Sequence, residues 1–153
     1  MNTRVKEWLG LSREQLDQIY KQASAGTIPS GDTRGTAILT GSLLSKSFAA
    51  FVRLFAWQGK VFDLMPPRHE TGILINKITP LSLTFVIAKV YKQASWIDEK
   101  ETIVIDYSRT SFFAKKIRDE IREIEPGLYL GKVWWGKTRI LDFALVDKAR
   151  VQD

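Results

Sequence analysis

At 153 residues the chain has the length of one ordinary domain, and a single unit over 1–153 is expected. It holds no cysteine and one histidine, which excludes disulfides, thiolate nucleophiles, cysteine-ligated metals and multi-histidine sites. The formal net charge of +6 comes from Lys and Arg interspersed with Asp and Glu. Without a basic cluster, zinc-finger spacing or an RNP-type aromatic block, no nucleic-acid partner is expected.

The first residues, Met1-Asn-Thr-Arg-Val-Lys-Glu-Trp8, mix charge with apolar side chains, so no secretory signal is read there and a cytoplasmic chain is expected. Residues 1–24 read as a helical segment ahead of a barrel-like unit over 25–153. Ser12 with Gln15 three residues later forms a capping-box pattern, and Leu16, Ile19, Tyr20 and Ala23 follow at helical spacing, predicting a helix over 12–24. The Gly- and Pro-rich stretch 25–35 reads as a loop, and 36–40 as a short strand.

A second helix is predicted over 43–57, with Leu44, Phe48, Phe51, Val52 and Phe55 on one face and only Lys46 and Arg53 interrupting the apolar girth. Such a helix is buried, or it lies against something apolar such as a barrel mouth or a membrane surface. It is too short and too charged to span a bilayer.

After Gly59 the period changes to alternation. Strands are predicted over 60–64, 73–79, 81–92 and 101–107, with Pro80 as a break and Asp98-Glu-Lys100 as a hairpin turn. A third helix is predicted over 111–124, with Phe113, Ile117, Ile121 and Ile124 on one face and Lys115–Asp119 and Lys116–Glu120 as i,i+4 pairs on its charged side. Pro126-Gly127 is read as its end, and strands 128–135 and 138–147 close the chain around the Gly136-Lys137 turn.

About seven strands joined by short turns favour antiparallel pairing over a βαβ pattern. The fold class expected is therefore α+β: an antiparallel barrel, or a strongly curved sheet, with about three helices. In Ile103-Val104-Ile105 and in the run from Ile140 to Leu145 both faces are largely apolar. A sheet with one solvated face would alternate with polar residues. One side should pack on helices while the other lines an interior, and barrels of about eight strands can hold one small ligand.

No nucleophile elbow, zincin motif, P-loop or dinucleotide fingerprint occurs, so no cofactor or metal is expected. His69, between Arg68 and Glu70, reads as a loop residue. The remaining chemistry lies in single polar residues set in apolar strands. Asn76, Lys89, Asp106, Arg118, Lys132 and Trp134 are the candidate ligand-binding residues, and Asp106, Asp142 and Tyr91 the candidate acid–base residues. If such charges face inward they need one another as partners. Asp106 is the first choice, with Arg118, Arg122, Tyr91 or Lys132 as its partner.

Gly31-Asp-Thr-Arg-Gly35, Trp57-Gln-Gly-Lys-Val-Phe62, Asp106-Tyr107 ahead of Arg118, and Gly127-Leu-Tyr-Leu-Gly131 give the chain a further likeness. Over about 25–147 it resembles the lipocalin-like bacterial domains that carry a GXWXG segment, and their associated domain of unknown function. Thr33 stands where that family has its tryptophan. The resemblance implies a calycin-type barrel and no particular activity. The leading functional expectation is a barrel that binds an apolar or anionic amphiphilic small molecule such as a fatty acid. The alternatives are a barrel-type isomerase, cyclase or lyase, and a docking module that makes transient membrane-surface contact through 43–57.

Overall fold

The N-terminal segment forms two helices rather than one. In the computed structural model, which describes residues 1–40, 57–64, 72–78, 86–108 and 114–151, α1 spans Thr3–Trp8 and α2 spans Arg13–Gln22. Asn2 caps α1 by accepting from the amides of Arg4 and Val5. At α2 the capping box is complete: the Gln15 amide donates to Ser12 Oγ, and the Ser12 amide donates to Gln15 Oε1. Leu16 and Tyr20, a turn apart on α2, are fully buried, as are Val5 and Trp8 of α1.

Among the described residues eight strands follow: β1 (Gly31–Ile38), β2 (Trp57–Leu64), β3 (Gly72–Ile78), β4 (Val86–Ala94), β5 (Glu101–Asp106), β6 (Ile117–Glu125), β7 (Leu128–Trp135) and β8 (Thr138–Asp147). Each pairs antiparallel with the next, and β1 also pairs with β8 from Thr33↔Asp147 to Ile38↔Asp142, so the sheet closes on itself. Closure leaves no strand of the ring with an unpaired edge.

Three sequence expectations change. The loop read over 25–35 gives way at Gly31 to strand, because β1 pairs along its length with β8 and begins against β2. The helix expected over 111–124 is absent from 114 onward: a short 3-10 turn at Ala114–Lys116 leads into strand β6. Pro126-Gly127 is therefore a hairpin turn, with Gly127 at φ 77, and not a helix stop. The helix expected over 43–57 falls almost wholly outside the described residues, as do His69 and positions 81–85.

Two apolar clusters share the sheet. Ala88, Val90, Ile103, Ile105, Ile121, Tyr129, Phe143 and Leu145 lie inside the ring together with Ala25 and Ile28. Val5, Trp8, Leu16 and Tyr20 pack on its outside against Ile38, Leu128, Leu130 and Ala144. The late strands are thus apolar on both faces because each face is covered, as the sequence suggested.

Candidate functional site

Strand alternation assigns the walls of the interior. β5 sends Ile103 and Ile105 inward, β8 sends Leu141, Phe143 and Leu145, and β7 sends Tyr129 and Val133. Gly131 lies between those two on β7, where a Cβ would run into the Phe143 ring, so the absence of a side chain is what lets that ring cross the interior.

One end of the ring is closed by the segment that precedes β1. The Tyr129 hydroxyl donates to the Thr27 carbonyl at 2.7 Å, and Glu123 accepts from the amides of Thr27 and Gly127, each at 2.9 Å. Arg150 pairs with the same Glu123 at 2.7 Å. Ala25 and Ile28 pack into the interior cluster behind these bonds. Burial beside Glu123 pushes the Tyr129 phenol far above its ordinary value, so it stays a neutral donor.

Toward the other end, among the described residues, the wall carries a polar pair. Asp119, 3% exposed, lies opposite Ile105 on one side and Val133 on the other, so its side chain shares the inward face with theirs. The Tyr107 hydroxyl, equally buried, donates to Asp119 Oδ2 at 3.1 Å. A carboxylate held by a phenol among isoleucine, valine and leucine side chains can orient a polar group of a guest, or exchange a proton with it. Read as the charged side of a helix, Asp119 looked like a surface residue. Once β6 is a strand, its shared parity with Ile117 and Ile121 marks it as inward.

Apart from Asn76, whose β3 position pairs with Val86 on the strand face shared by Ala88 and Val90, the residues singled out from the sequence sit elsewhere. Asp106 is half-buried on the outer face of β5, where Oδ2 accepts from the Tyr91 hydroxyl at 3.2 Å and Oδ1 from the Ser108 amide at 2.8 Å. Burial alone would raise its pKa, but the bonds from Ser108 and Tyr91 outweigh it and hold the carboxyl below its ordinary range. Of the partners expected for it, Tyr91 makes the bond. Arg118 lies opposite in register but donates to Glu120, to the Gln93 side chain and to the Ala94 carbonyl, and Arg122 is engaged with Asp98. Lys89 also faces Asp106 in register and is solvent-exposed.

Lys132 and Asp142 do meet, at 3.0 Å and fully buried, yet beneath α2 and not inside the ring. Lys132 also pairs with Asp17 of α2 at 2.8 Å, and Arg139 pairs with Asp17 at 2.6 Å. Trp134 shares this outer face, edge-on to Trp96 at 5.4 Å between centroids, and the Trp96 ring lies beneath both Arg118 and Lys137. Asn76 occupies a β3 position opposite Lys60 and Val86. Lys89, Asp106, Arg118, Lys132, Trp134 and Asp142 therefore do not line the interior. The physical reason is register: shifting a strand by one residue exchanges its faces, and neither face of these strands has a purely apolar pattern to choose between them.

Among the described residues no helix is long and apolar enough to cross a membrane, and no group of three His, Asp or Glu could hold a metal ion. The fold class is an antiparallel, strongly curved sheet with helices packed on one outer face. No protein-family model and no curated protein matches the sequence. A solved structure, the crystal structure of a protein from Thermomonospora curvata, is similar, with a TM-score of 0.54 and 16% identity over 90% of this chain and 88% of that one. At that identity the likeness concerns the fold alone.

Proposed function

We propose that this chain is a lipocalin-like, small-molecule-binding barrel whose interior takes an apolar ligand with one polar end. The observation that carries the reading is the Tyr107–Asp119 pair, buried on the inward face beside Ile105, Val133 and Leu141. Small barrels of eight strands are wide enough for one compact ligand, and ligand pockets combine apolar walls with a few placed polar groups. The closed end at Tyr129 and Glu123 gives such a pocket a floor. The resemblance of the glycine and tryptophan motifs implies the same kind of barrel, though no particular activity.

Native mass spectrometry of freshly purified protein tests it. A co-purified small molecule that leaves under mild activation, or saturable binding of the neutral apolar dye Nile red, is the expected result. A protein that is bare and also fails to bind the dye overturns the reading.

The same pair supports a second reading, a barrel-type isomerase, cyclase or lyase. In it Asp119 and Tyr107 would serve as base and acid in place of Asp106, Asp142 and Tyr91. Turnover of an identified ligand that is lost in Asp119→Asn, with ligand binding retained, would favour the enzyme.

A further inference from the structure

We propose a second ligand site on the outside of the ring, between the start of α1 and the β1–β8 seam, that takes a compact apolar carboxylate and receives its charged end at Arg34. The site is separate from the interior, so it stands or falls without the binding-barrel reading.

At the seam, strand alternation turns Arg34 and Thr36 of β1 outward, and Val146 of β8 lies directly opposite Arg34. Val5 of α1 and Val151, beyond the end of β8, help to wall a cavity of about 170 Å³ over these residues. Val5 is buried, and Thr36, Val146 and Val151 are half-buried. All four side chains are short, which leaves open a volume that longer ones would fill. An apolar cavity of about 150 Å³ holds a benzene ring, so this one has room for an aryl ring or a short branched alkyl body.

The charges at the lip select the sign of the polar end. No Asp or Glu is among the residues that line the cavity, whereas Arg34 and Lys148, both exposed, are. Lys148 is paired at 2.6 Å with Asp32, which lies two positions before Arg34 on the same outward face of β1. The arginines nearby are committed as well: Arg4 to Glu7 and Glu125, and Arg150 to Glu123. Arg34 has no ion-pair partner among the described residues, and it is the surplus positive charge of this lip. Its guanidinium offers a planar fork that meets a carboxylate with two parallel bonds. Because the lip is exposed, the carboxylate keeps part of its hydration there while the apolar body enters the cavity. An ammonium in the same place would meet a charge of its own sign.

Titration of the full-length chain with benzoate, benzamide and benzylamine, followed by amide chemical shifts in NMR spectra, tests the site. Benzoate taken to about 20 mM, the weak limit that ordinary ligand efficiency sets for a molecule of this size, should give saturable shifts at Thr36, Val146 and Val151. Ile103 and Phe143, inside the ring, should stay unmoved. Benzoate should bind roughly fivefold more tightly than benzamide, which has its shape without its charge, as expected of a well-formed exposed ion pair. Benzylamine should bind most weakly. Arg34→Gln should remove the advantage of benzoate over benzamide, and Arg34→Lys should keep part of it. Benzamide binding as tightly as benzoate, an advantage that survives Arg34→Gln, or no saturable shift at all overturns the proposal. Shifts confined to the interior residues, with displacement of bound Nile red, overturn it too while supporting the barrel reading. Shifts at the seam that grow with protein concentration in the absence of ligand would make a second copy of the chain the occupant, and likewise overturn it.

Discussion

The Arg122 guanidinium is fully buried on the outer face of β6 and uses all five of its N–H groups. Two go to the Asp98 carboxylate, at 2.6 and 2.8 Å, and the others to the carbonyls of Tyr20, Lys100 and Glu101. The group also stacks over the Tyr20 ring at 4.5 Å. It thereby ties α2, the β4–β5 hairpin and the sheet to one point. Arg122→Met should lower stability by roughly 3–5 kcal/mol, because it strands a half-buried carboxylate and three carbonyls. Arg122→Lys should recover little of that, since an ammonium cannot reproduce the planar fork. Urea unfolding midpoints would measure both.

The carboxylates of this outer layer also determine its acid behaviour. Burial alone would raise the Asp17 pKa, but its bonds to Arg139 and Lys132 outweigh it and hold the group below its ordinary 3.8. The Arg122 bond does the same for Asp98. As pH falls below 3.8 the unfolded chain takes up protons before the folded one, so folding loses stability with falling pH. The contribution of both groups is complete above that value and disappears as pH passes down through their folded values. Asp17→Asn should cost about 1–3 kcal/mol near neutrality. Its deficit against the native chain should narrow in unfolding curves taken at successively lower pH, down to about pH 3. A deficit that stays constant to that pH would show that Asp17 contributes packing and no charge.

At the scale of elements, α2 and β6 illustrate two different ways of reading a segment. The α2 helix carries its own start signal in Ser12 and Gln15, and the two reciprocal bonds form within four residues of each other. Ser12→Ala should cost about 0.5–2 kcal/mol, read as a lower melting temperature with the fold unchanged. For β6 the local signals conflict. Ile117, Ile121 and Ile124 fit a helical face, and the charges between them fit i,i+4 pairs. The same residues form a strand in which Arg118, Glu120 and Arg122 share one face, and Ile117, Asp119 and Ile121 the other. Pairing with both β5 and β7 decides between these arrangements. It succeeds because the polar face of β6 is covered by Tyr20, Ser95 and Trp96, whose hydroxyls and amide satisfy Glu120.

For the whole molecule the consequence is that the helical segment is a wall of the fold and no appendage. Val5, Trp8, Leu16 and Tyr20 cover Leu128, Leu130 and Ala144, and Asp17 supplies one of the carboxylates that neutralise buried Lys132. Each fully buried apolar side chain of this kind is worth roughly 1.5–3 kcal/mol, against a total stability of about 5–15 kcal/mol for a domain. Removal of residues 1–24 should therefore leave a chain without cooperative thermal unfolding and prone to self-association. Differential scanning calorimetry and size-exclusion chromatography would register both changes. A truncated chain that stays monomeric and melts cooperatively would overturn the structural role given to α1 and α2.

The sequence by itself determined the strand-rich class, the capped helix at Ser12, the turns at Asp98-Glu-Lys100 and Gly136-Lys137, and the double-sided burial of the late strands. These depend on neighbours a few residues apart, or on composition that no choice of register can change. Only the tertiary structure decided which face each polar residue occupies. Lys132 and Asp142 form a pair, as their chemistry required, but under α2, and Asp106 finds Tyr91 on the outside. Asp119, which looked like the polar side of a helix, became the inward group of the candidate site. The reason is that side chains of a strand alternate with a period of two, so one residue of register exchanges inside for outside. That register is set by partners far along the chain, in the ring that closes where β1 meets β8.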